Sequence, residues 1–141
     1  MNAKSYFERV RMAEKKLYLI RRQREHWEEM ATRMSGTSEV KIRSTNMHSP
    51  TEDVALHLAD LGHDLDEEEA KYTAIVKEAK WVIEQIHQER FREVLTLRYI
   101  CGHSWKTIRD EMDYAGEKSV YKVHGWALLE AGKILRVMDT K

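Results

Sequence analysis

One cysteine, one proline and six glycines are spread over 141 residues, and no run of 18 apolar residues occurs anywhere. A lone Cys101 cannot close an internal disulfide, which excludes a small fold stapled by cross-links. The scarcity of proline and glycine, with no low-complexity run, argues against a turn-rich β fold and for long helices. Without a long apolar run there is no membrane span, and the opening "MNAKSYFERV" carries charge where a secretory leader needs apolar residues. An all-α, soluble, cytoplasmic protein with no membrane partner is therefore expected. Also missing are a glycine-rich phosphate loop, zinc-ligand spacing, a paired-carboxylate site and a serine nucleophile motif. The expected class is a non-enzyme with no cofactor and no metal.

Neither sign of charge is in excess overall, with 24 Lys/Arg against 24 Asp/Glu, but the distribution is uneven. Residues 1–34 hold nine basic against five acidic side chains, 35–48 two against one, 49–87 three against ten, and 88–141 ten against eight. A basic first segment and an acidic second one attract each other. The length suits one domain, or a small domain with an extended helical accessory, burying roughly two-thirds of its unfolded surface.

In the first segment the apolar positions Tyr6, Val10, Ala13, Leu17, Ile20, Trp27, Ala31 and Met34 follow alternating steps of four and three, interrupted at Arg24. This is a heptad seam of about four heptads on a helix roughly 45 Å long, closed by "SGTS" from Ser35. The connector up to His48 is long for its kind. Ser49-Pro50-Thr51-Glu52 reads as a capping box that starts a second helix. Behind it run Val54, Leu58, Leu61, Leu65, Tyr72, Ile75, Ala79, Val82 and Ile86, interrupted once at Glu68.

Folding the two helices back antiparallel with facing numbers summing to about 92 places Trp27 on Leu65 and makes Arg24 and Glu68 the register pair. The alternative is two amphipathic helices packed separately on a globular core. Residues 1–87 are thus expected to form an antiparallel helical hairpin, a coiled coil serving dimerisation or partner binding. Val76 and Ile83 widen its stripe and leave apolar surface for the last third of the chain or a second subunit.

Residues 88–141 have a different rhythm. Gln88 to Ile100 is helical, Cys101-Gly102-His103 makes a corner, and Ser104 caps a helix with Trp105, Ile108 and Met112. "DYAG" turns the chain into a last helix whose Val120, Val123 and Ala127 point inward. Short helix, tight turn, longer helix is helix-turn-helix spacing. Lys118, Ser119, Lys122 and Trp126 then face outward with Tyr121 near the edge, placed to read double-stranded DNA. Lys106 and Arg109, and further along Lys133 and Arg136, are within reach of phosphates.

The stretches "FREVLTLRYICGHSWKTIRDEMDY" and "SVYKVHGWALLEAGKIL" resemble the sigma-70 region 4 type of helix-turn-helix, and more narrowly the phage and prophage regulators of the ArpU/RinA kind. The likeness rests on Leu97-Arg98-Tyr99, Ser104-Trp105, Ile108, Met112-Asp113-Tyr114, Val120-Tyr121 and His124 to Leu128, about a third of the chain. It implies a sequence-specific regulator of late phage genes working with host RNA polymerase in the host cytoplasm. Arg109 departs from the family's usual small residue, Asp113 from a frequent glycine, and Ala115-Gly116 from the usual Ser cap.

The module's net charge of +2 is a small footprint for a DNA reader, which a homodimer doubles. An adaptor that docks on polymerase or another host factor without reading DNA is the alternative. Elsewhere bland readings win: "HDLDEEE" around His63, Asp64 and Glu67 is a solvated acidic face, Gly62 a bend or a close helix contact, Cys101 a buried structural thiol, and Trp105 core.

Overall fold

The computed structural model of the chain describes residues 2–36 and 50–140. They form five α-helices, α1 (Ala3–Gly36), α2 (Pro50–Glu84), α3 (Glu89–Leu95), α4 (Trp105–Glu111) and α5 (Glu117–Asp139), with a π-helical turn, Thr96–Ile100, continuing α3. No strand occurs among the described residues, and none of their helices is long and apolar enough to cross a membrane. The expected cap Ser49, and most of the connector before it, lie outside the described residues; α2 does begin at Pro50.

The chain divides into two compact units, 1–13 with 72–141, and 14–71. The expected boundary between residues 87 and 88 therefore falls inside the first unit. The reason is a shared core. Ala3, Tyr6, Phe7 and Val10 from α1 and Ala79, Val82, Ile83 and Ile86 from α2 are buried in one cluster with Phe91, Val94, Leu95, Tyr99, Ile108, Val120, Val123 and Ala127. Of Val76 and Ile83, expected to need a cover, Ile83 is buried in this cluster and Val76 is half-buried against it. Phe7 stacks on Tyr99 with ring centroids 5.2 Å apart, both rings fully buried. The Tyr6 hydroxyl donates to Glu78 at 2.9 Å; burial, then that carboxylate, raises its pKa.

In the second unit the seam positions Leu17, Ile20, Val54 and Leu65 are buried and Trp27, Ala31, Leu58 and Leu61 half-buried, as the heptad steps require. The register is different from the expected one. Lys16 meets Glu68 at 3.0 Å, Arg21 meets Glu69 at 3.1 Å, and Trp27 stacks on His57 at 4.3 Å, where Leu65 was expected. The facing numbers of these three pairs sum to 84, 90 and 84, two to eight below the expected 92. Arg24 is taken by Glu28 within its own helix at 3.8 Å, while Glu68, whose side chain is only 13% exposed, takes Lys16 and Lys71. The Lys16 bond holds the Glu68 carboxyl below its usual range. Repeating seams re-match after seven residues, so local ion pairs and the Trp27 stack select among nearly equivalent alignments.

Candidate nucleic-acid interface

The corner at Gly102 begins with the π-helical turn. Cys101 N–H donates to the Thr96 carbonyl and His103 N–H to the Leu97 carbonyl, both at 2.9 Å. Between them Gly102 takes φ 72°, a left-handed conformation that a Cβ disfavours. Arg98 Nη1 donates to the His103 carbonyl at 3.0 Å and fastens the corner. Cys101, expected to be buried, is exposed, because the corner lifts it off the core.

Ser104 caps α4 as the sequence requires, its Oγ accepting from Thr107 N–H at 3.2 Å. At the far end Asp113 adopts φ 60°, with Asp113 N–H donating to the Asp110 carbonyl and Tyr114 N–H to the Arg109 carbonyl. This is a Schellman closure with aspartate where glycine is usual. Gly116 then serves as an extended N-cap for α5 without a side-chain bond.

Val120, Val123, His124, Ala127, Ala131 and Leu135 hold α5 against the core, so its other face is exposed. The structure brings Lys118, Ser119, Tyr121 and Lys122 together, all exposed, on the first turns of that face. Trp126 follows at 46% exposure, with the Arg90 guanidinium 5.5 Å from its ring centre. Lys106 is exposed on α4. Arg109 is committed locally, giving Nε and Nη2 to Asp110 at 3.0 and 2.9 Å. Arg136 is exposed but stands 14 residues beyond Lys122, about 21 Å along the helix, in a wall of an apolar depression with Leu128, Leu129 and Gly132. Lys133 pairs with Glu130 at 3.0 Å. Glu117 at the start of α5 suits the helix dipole and sets one carboxylate beside the lysines.

Behind this face lies a buried polar pair. Tyr99 Oη and His124 Nε2 share a hydrogen bond of 2.8 Å, and the Trp105 ring meets His124 edge-on at 4.7 Å and Tyr121 at 5.3 Å. Burial raises Tyr99 to about 12. Burial, then the charges of Arg98 and Lys4, lowers His124 to about 4, so the imidazole is neutral at pH 7. Trp105 packs on the core, as its helical phase predicts, and carries the Arg98 guanidinium 4.0 Å over its face. Arg98, part of the Leu97-Arg98-Tyr99 likeness, had no role assigned from the sequence, and neither had Phe7, for which the Ala3, Phe7, Val10 spacing beside the main seam is the signal.

No group of three or more His, Cys, Asp or Glu side chains among the described residues could hold a metal; His63 pairs with Glu67 one turn on. A Cβ on Gly62 would meet nothing within 4 Å, so no helix approaches closely there. Compared with protein-family models, curated proteins and solved structures, the chain finds a match in none of the three.

Proposed function

We propose that this chain is a sequence-specific, DNA-binding transcriptional regulator of the ArpU/RinA type. It reads a promoter or operator with α4, the turn at Asp113 and α5 acting as a helix-turn-helix, alongside host RNA polymerase in the host cytoplasm. The observation that carries this reading is the leading end of α5, where Lys118, Ser119, Tyr121 and Lys122 are exposed while Val120, Val123 and His124 anchor the opposite face. A helix fixed on one side and open at its N-terminal end is what entry into a major groove demands. The unit of residues 14–71, a pair of antiparallel helical stretches, joins two copies and so doubles a modest basic footprint. Among the described residues no promoter-melting element occurs, and on this reading the protein is an accessory factor that does not initiate with core polymerase alone.

The test is an electrophoretic mobility shift at moderate salt, using duplexes from the DNA flanking its own gene and shuffled duplexes of equal length. A flanking duplex shifted at concentrations that leave its shuffled counterpart free supports the reading. Equal shifts, or none, overturn it. One observation favours a second reading, that of an adaptor: Trp126, Leu129 and Val137 on the exposed face of α5 form an apolar continuation of the lysine-bearing turns. Co-elution with purified host RNA polymerase without DNA, together with no selective shift, is the result expected of the adaptor.

A further inference from the structure

The stacking of Phe7 on Tyr99 does more than fill the core. Arg11 stands one turn beyond Phe7, and Arg98 immediately precedes Tyr99, so that contact brings their two stretches of helix together, and the Arg11 charge acts on Arg98. Both are partly buried, and Arg11 Nη1 and Arg98 Nε lie out of solvent without a hydrogen-bond partner. Burial, then the Arg11 charge, pushes Arg98 below its ordinary pKa, with Glu8 acting in the opposite sense. Two partly desolvated like charges near one carboxylate are unfavourable, and an oxyanion drawn to the solvent-facing part of Arg11 relieves that. From Arg98 the path to the leading end of α5 is short: its guanidinium lies on Trp105, and Trp105 touches Tyr121. Arg9, two residues from Arg11, also has Nε and Nη2 out of solvent without a hydrogen-bond partner, but it faces the Glu78 carboxylate at 3.9 Å and the Tyr6 ring.

We infer that Arg11, backed by Arg98, is a clamp for the DNA phosphate backbone, extending the reading surface from Tyr121 across Trp105 onto α1. This rests on the DNA reading above. Arg11 contacts a phosphate flanking the groove that α5 enters, and Arg98 holds the corner and supplies the second positive charge. The clamp makes the first helix part of the DNA surface.

The salt dependence of binding tests it. Affinity of the full chain for an arbitrary-sequence duplex is measured by fluorescence anisotropy between roughly 50 and 200 mM KCl, because each phosphate contact contributes about 0.9 to the slope of log K against log salt. Arg11→Gln is expected to lower the magnitude of that slope by about one and to weaken binding several-fold at the low-salt end. Arg11→Lys keeps the slope, and Arg9→Gln, on the other flank of the same helix, keeps it too. Circular dichroism melting of each variant confirms the fold. A wild-type slope in folded Arg11→Gln overturns the clamp while leaving the DNA reading intact. No binding by the unaltered chain at low salt overturns the DNA reading and the clamp with it.

Discussion

His124 is the buried residue whose charge state decides most. Its folded pKa near 4 lies below the unfolded value of about 6.5, so the unfolded chain takes up the proton first. The stability it supports is complete above pH 6.5 and is lost as pH falls toward 4. Between pH 7 and pH 5 the loss is about 2 kcal/mol, read as a fall in unfolding free energy by urea titration at both pH values. His124→Gln flattens that part of the profile; an unchanged profile would place the titration elsewhere. On the surface, if α5 reads DNA as proposed and Lys122 meets a base edge, Lys122→Ala is expected to weaken the preferred duplex by ~1–3 kcal/mol and to relax selectivity, because such a contact distinguishes sequences. Lys106→Ala or Arg136→Ala weakens all duplexes alike, and mobility shifts on matched and shuffled DNA separate the two patterns. That these lysines would be exposed was legible from the 3.6-residue period of Val120, Val123 and Ala127. The local pairing of Arg109 with Asp110 was not, since adjacent side chains meet only when a rotamer and its packing allow it.

Among the elements, α4 is bounded most sharply and shows how far local chemistry reaches. Ser104→Ala removes the acceptor for Thr107 N–H and is expected to cost about 1 kcal/mol, read in thermal melting. Asp113→Gly is expected to stabilise by roughly 0.5–1 kcal/mol, since glycine takes φ 60° without the penalty of a Cβ, and the Asp113 side chain makes no bond that offsets it. Both positions could be read from residue type alone, because caps and left-handed closures depend on the few residues around them. The π-helical turn could not. It arises where α3 must place Tyr99 in the core and still end at the Gly102 corner, a compromise between two tertiary demands. The heptad seams of α1 and α2 occupy an intermediate position. The buried stripe follows directly from the spacing, whereas the alignment of the stripes depends on Lys16, Glu68, Trp27 and His57, which lie on both helices at once.

In the whole molecule, the decisive feature is that the first turns of α1 and the last turns of α2 belong to the core of the C-terminal helices. A fragment of residues 88–141 is therefore expected to lose cooperative thermal unfolding by circular dichroism. Phe7→Ala in the full chain should destabilise by about 3–5 kcal/mol, as removal of a fully buried ring does. A fragment that melts as sharply as the intact chain would restore a boundary at residue 87. The role proposed for Arg11 depends on the same arrangement, because it needs the first turns of α1 docked in the core beside Tyr99.

All-helical architecture, the buried stripes, the Ser104 cap, the Gly102 corner and the outward lysines of α5 were settled by the order of residues, because each depends on neighbours within a few turns of the same helix. The heptad register, the exposure of Cys101, the union of both chain ends in one core and the meeting of Arg11 with Arg98 were decided only by tertiary packing. Those features join residues up to about 130 positions apart, and nothing local distinguishes the realised pairing from its near-equivalents.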